Sequence, residues 1–138
     1  VDQEACEKII SAASPLKVTF HRAFDQVADP FIALDTIISL GFERILTSGL
    51  KSTALDGLEV IKGLIEKSQN RISIMPGSGI GPKNIEEIAI ASRAQEFHAS
   101  AKVRVEIVNK IDVGGGEGAV NVCSEEIVRQ MVEIIKTL

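Results

Sequence analysis

Two histidines, an arginine and a glycine-rich turn are the residues of this chain whose types and spacing suggest chemistry. His21 and His98 stand near the ends of two short apolar runs, in Thr19-Phe20-His21-Arg22-Ala23-Phe24-Asp25 and Glu96-Phe97-His98-Ala99-Ser100. Histidine titrates near neutrality, so two of them at one end of a sheet can act as acid, base or metal ligand. An inward histidine can equally be a hydrogen-bonded core residue. Arg22 can clamp a phosphate or carboxylate through two donors, or simply pair with Asp25. His21, Arg22, Asp25 and His98 are therefore the candidate catalytic residues.

Two further runs offer places for an anion. Leu46-Thr47-Ser48-Gly49 sets two hydroxyls beside a glycine, and Met75-Pro76-Gly77-Ser78-Gly79-Ile80 leads toward the opening of a helix. Backbone N–H groups of such a turn can converge on negative charge, although glycines also serve tight turns with no ligand. Thr47, Ser48, Gly77, Ser78, Gly79 and Ser100 are the candidate anion-binding residues. For soft Cu(I) the donors on offer are His21, His98 and Met75, the last also plausible as core filler. No dinucleotide fingerprint, P-loop, HExxH or GxSxG pattern is present.

These residues need elements to position them. Apolar β-rich runs at 17–24, 43–48, 71–76 and 95–100 alternate with helical patterns, the signature of βα units on a parallel sheet. Their starts lie 26, 28 and 24 residues apart, the spacing of a (β/α)8 TIM barrel of roughly 250 residues. Helices are expected at 3–13, from Asp29-Pro30 to Gly41, from a Thr53 cap to about Asn70, from Pro82, and from a Ser124 cap onward. Strand alternation turns Thr19, His21, Ala23, Met75, His98 and Ser100 toward the barrel interior, with Phe20, Ile74 and Phe97 toward the helices. Residues 102–123 fit no βα loop and read as a hairpin or a lid, with the glycine run 114–118 as flexible loop.

Composition bounds the rest. The chain has 138 residues, enough for one domain spanning 1–138, with 45% hydrophobic and 25% charged residues. Its net charge of -4 and lack of a Lys/Arg cluster argue against nucleic acid, and no apolar run is long enough for a membrane span. Cys6 and Cys123 form no CxxC, which favours a reducing, cytoplasmic setting over a disulfide or zinc framework. No secretory signal is visible, and the first residue, Val1, leads us to expect a start within a longer protein. Four βα units leave a parallel half-sheet with two open edges and an uncovered face. Either another half completes it, or two copies associate as a homodimer or higher homo-oligomer.

The segments 19–25, 41–49, 74–80 and 96–101, in this order, resemble the C-terminal half of the CutC copper homeostasis proteins. The resemblance runs from the first helix to about Ala101. It implies a (β/α)8 barrel in the cytoplasm, associated with copper tolerance and with Cu(I) as its cofactor or cargo. It implies no defined reaction. Family members usually carry glycine where Ser78 stands, and the cysteines proposed to hold copper in some of them lie in the half not matched here, so Cys6 and Cys123 do not inherit that role. Two main readings follow: Cu(I) handling through His21, His98 and Met75, or a TIM-barrel enzyme whose partner is a small anionic or phosphorylated ligand. A third makes association the chain's main property.

Overall fold

A computed structural model of the chain describes residues 1–107 and 118–138. The elements are α1 (Gln3–Ala13), β1 (Thr19–Phe20), a 3-10 helix (Arg22–Gln26), α2 (Pro30–Ser39), β2 (Arg44–Thr47), α3 (Leu58–Ser68), β3 (Ser73–Pro76), α4 (Ile85–Ser92), β4 (Lys102–Ile107), β5 (Gly118–Cys123) and α5 (Glu125–Lys136). β1, β2 and β3 form a parallel sheet in that order, with Thr19 beside Arg44 and Arg44 beside Ser73. Along β2 and β3 the buried residues Ile45, Thr47, Ile74 and Pro76 alternate with half-buried Arg44, Leu46, Ser73 and Met75. Of the buried set, Ile45 and Ile74 join Leu34, Ile37, Ile61, Leu64 and Ile88 in one apolar core. The half-buried set lines the concave side of a partial TIM-barrel-type fold, as the alternation predicts.

Most helix ends follow the sequence signals. Asp29 Oδ1 accepts from the amides of Phe31 and Ile32, at 2.8 and 3.0 Å, with Pro30 at the first helical position. The Ser124 hydroxyl accepts from the Ile127 amide at 3.3 Å and starts α5. Two starts differ from expectation. Thr53 does not cap α3; it accepts from the Asp56 amide at 3.2 Å and closes an earlier turn, while α3 begins after Gly57. Gly49, at φ 68°, packs its backbone against Gly57, so the chain must complete this turn before it can helix. Likewise Pro82 does not open α4, which starts at Ile85 once Asn84 has tied the loop, its side chain accepting from Gly81 and donating to Gly79.

The strands expected at 17–24 and 95–100 are shorter than predicted. β1 is two residues long because the chain turns at His21 into the 3-10 helix, whose Phe24 is fully buried. At 95–100 there is one parallel bridge, between Gly77 and His98, in place of a fourth strand. Of the segment 102–123, the described parts agree with the hairpin alternative: β4 and β5 are antiparallel, with Val103 opposite Val122 and Val105 opposite Val120. All four valines are exposed. Of the glycine run 114–118, residues 114–117 lie outside the described residues. No helix among the described residues is long and apolar enough to cross a membrane.

Candidate functional site

Asp25 is the centre of the polar cluster at the C-terminal end of the sheet. The 3-10 helix carries it beneath β2, where its side chain is only 5% exposed. Its Oδ1 accepts from Thr47 Oγ1 at 2.5 Å, from the Ser48 amide at 3.1 Å and from the Leu50 amide at 3.3 Å. Its Oδ2 accepts from Arg22 Nε at 2.7 Å and from Ser48 Oγ at 3.0 Å. Burial pushes the carboxyl pKa up, but the bonds from Thr47, Arg22, Leu50 and Ser48 outweigh it and hold the group below its ordinary value. A carboxylate with both oxygens already occupied is a structural anchor, and the catalytic role expected of Asp25 does not fit it.

Thr47 and Ser48 are corrected by the same geometry. Both are fully buried, and neither lines the two larger cavities described below. Thr47 Oγ1 also accepts from the Gly49 amide at 2.9 Å, while Ser48 Oγ accepts from Arg22 Nη2 at 2.7 Å and lies 2.5 Å from the Lys51 carbonyl. Gly77 is likewise internal. Its amide donates to the Thr47 carbonyl at 2.9 Å, and a Cβ there would meet Leu46 Cδ1 and His98 Cβ. Its missing side chain lets the 95–100 segment approach the sheet.

The remaining candidates divide between two cavities. Arg22, Ser78, Gly79, His98 and Ser100 line one of about 720 Å3 at the rim, together with Lys83 and Lys102. Among the described residues, none that lines it is acidic. Ser78 and Gly79 take φ of 84° and 71°, turning the chain past β3. Among the described residues, nothing accepts a hydrogen bond from the amides of Ser78, Gly79 or Ile80. His21 does not share this space. It is exposed, caps the 3-10 helix by accepting from the Ala23 amide at Nδ1 (2.9 Å), and lines a more apolar cavity of about 940 Å3 along the free edge of β1. Met75 lies on the concave face, outside both cavities. Among the described residues no three His, Cys, Asp or Glu side chains group as a metal site.

Sequence reasoning missed one constellation. Arg44 on β2 reaches Glu96 by two parallel bonds, Nε to Oε2 and Nη2 to Oε1, both 2.6 Å. Ser73 donates to Glu96 Oε2, and Arg44 Nη1 donates to Thr19 Oγ1 at 3.3 Å. The Arg44 bond first, then the Ser73 bond, pushes the Glu96 pKa down to about 2. The signal was present: Arg44 shares inward parity with Leu46, as Glu96 does with His98, and an inward arginine calls for a carboxylate. Lys83 and Lys102 were missed too, carrying no local pattern beyond their charge.

The model of the CutC family matches residues 1–103. The chain is 53% identical over 102 residues to the copper homeostasis protein cutC homolog of Mus musculus, covering 74% of this chain and 38% of that protein. The Homo sapiens homolog gives 53% over 102 residues, with 37% of that protein covered. The family protein CutC of Histophilus somni is 47% identical over the same length, with 42% covered. The crystal structure of a CutC protein from Streptococcus agalactiae superposes with a TM-score of 0.67 at 33% identity, over 71% of this chain and 49% of that one. The chain thus spans less than half the length of the curated relatives it matches. Family motifs, parallel sheet and superposition agree, and the chain belongs to the CutC family.

Proposed function

We propose that this chain acts in copper homeostasis, the role in the names of its relatives, and that its own residues bind a small anionic or phosphorylated ligand in the rim cavity. The observation carrying this reading is the cavity's charge: Lys83 and Lys102 line it beside Arg22, whose own charge Asp25 answers, and among the described residues no acid lines it. The amides of Ser78 and Gly79 add donors, and cations with backbone N–H groups form the usual cradle for an anion. His98 and Ser100 stand in the same space, so a bound ligand would have a proton carrier beside it; the enzyme alternative rests on that. Two free thiols, Cys6 and Cys123, support a cytoplasmic setting.

Cu(I) handling by His21, His98 and Met75 is the second reading, favoured by the relatives' names. The separation of His21 and Met75 from the His98 cavity argues for weak binding by this chain alone. A second copy covering the open concave face is the partner we propose, as a homodimer or higher homo-oligomer.

Inorganic phosphate is the probe for the anion site. Titration followed by amide chemical shifts is expected to move Gly79, Ser100 and Lys102 saturably, and the combined Lys83→Ala, Lys102→Ala variant to weaken binding several-fold. Unmoved amides, or an undiminished response in that variant, overturn the reading.

A further inference from the structure

We infer that the Arg44–Glu96 pair is a positioning device: it fixes the 95–100 segment against the sheet and so sets His98 and Ser100 in the rim cavity. The inference deepens the anion-site reading and rests on it for its ligand.

The 95–100 segment lacks a strand ladder of its own. Its backbone is held by the single bridge to Gly77, where the His98 amide donates to the Pro76 carbonyl at 2.9 Å. Phe97 and Ala99 pack against the helix-side core, which turns Glu96, His98 and Ser100 the other way. One bridge and two half-buried apolar side chains leave the segment free to slide or twist. Glu96 removes that freedom. Its carboxylate is gripped from two strands at once, by Arg44 of β2 and Ser73 of β3, and Arg44 is braced in turn by Thr19 of β1. Thr19, Arg44 and Ser73 occupy one register row, so the fork ties the segment to every strand of the sheet. A bidentate guanidinium–carboxylate pair fixes direction as well as distance. His98 follows two residues later, about 7 Å along an extended chain, so the orientation of Glu96 passes directly to the imidazole and the Ser100 hydroxyl.

Glu96→Gln tests this. Glutamine keeps the arm length but loses the charge and one acceptor. Hydrogen exchange without ligand is read first: the His98 amide is expected to exchange about tenfold faster, while the Gly77 amide, bonded to Thr47 within the sheet, stays within twofold. A merely stabilising pair would raise both rates together. With phosphate, the dissociation constant is expected to rise about tenfold, the loss showing at Ser100 more than at Gly79. Ser73→Ala, which removes one bond and keeps the fork, is expected to give a smaller change in the same direction and guards against a Glu96 variant that fails to fold. Equal acceleration at His98 and Gly77, or none at His98, overturns the inference. Absent phosphate binding in the unaltered protein would defeat the anion site alone, because the exchange comparison is read without ligand.

Discussion

Replacing Asp25 by asparagine is expected to be the most costly single isosteric change in the polar cluster. Asparagine retains one acceptor oxygen. Placed at Oδ1, it keeps the bonds from Thr47 and from the amides of Ser48 and Leu50. Its NH2 then stands where Oδ2 received Arg22 Nε at 2.7 Å, setting donor against donor. The reverse placement is worse, since it turns the NH2 toward two buried amides and a hydroxyl. Losing a hydrogen bond to a charged group costs about 1.5–3 kcal/mol. At 5% exposure of the side chain, water cannot replace it. The expected loss is about 2–3 kcal/mol, with Asp25→Ala at about 3–5 because every donor then goes unmet. At roughly 4 °C per kcal/mol for a chain of this size, Asp25→Asn should melt about 10 °C earlier. Urea unfolding measures the free energy directly. The carboxyl is held below its ordinary value of 3.8 in the folded chain, so its contribution is full above that pH and fades as pH falls through the lower, folded value. The gap between native protein and variant should therefore close below pH 3.8. A loss under about 1 kcal/mol, or a gap that does not shrink in acid, would refute the assignment of Asp25 as an ionised anchor.

Glu96 gives a second acid-labile term. Its pKa is pushed from 4.5 to about 2, so its stabilisation is present above pH 4.5 and is lost progressively toward pH 2; because its side chain is 38% exposed, solvent screening keeps the effect small, and acid denaturation of the native protein against Glu96→Gln measures it. Cu(I) titration against a competing chelator should show weak binding that disappears in the His21→Ala, His98→Ala double variant; tight binding surviving both changes would remove the histidines from the copper reading. Light scattering after size exclusion should give at least a dimer at micromolar concentration, since half-buried Leu46 and Met75 line an uncovered parallel face; a cooperative monomer would show that the face needs no second copy.

The fold was legible wherever local pattern and tertiary demand coincide. β2 and β3 lie within the runs read from their apolar alternation, and α2 sits between the Asp29-Pro30 start and the Gly41 stop. The ends failed where a distant partner overrides propensity. Residues 17–24 read as one strand, yet Phe24 has to enter the core from the helix side, so the chain breaks at His21. Thr53 followed by an apolar period reads as a helix cap, but the backbone contact of Gly49 with Gly57 delays the helix by a turn.

The site was legible in its loops more than in its roles. Ser78, Gly79, His98, Ser100 and Arg22 do meet in one cavity, because parallel strands deliver their C-terminal ends to the same rim. Thr47 and Ser48 occupy that rim as well, and a hydroxyl before a glycine reads identically whether it faces a ligand or a buried carboxylate. What decides is Asp25, more than twenty residues earlier in the chain, and its arrival beneath β2 depends on a turn that strand periodicity conceals. The Arg44–Glu96 pair, 52 residues apart, lay closer to reach. Strand parity alone puts both charges on the half-buried concave side, where each is the other's natural partner. Inward charges matched by sign across strands therefore offer a more reliable route to the interior of such a sheet than hydroxyls chosen by their neighbours. The same rule shows why the rim cavity stands apart: its cations have parity or loop position that brings them together, and among the described residues no carboxylate lines it to answer Lys83 and Lys102.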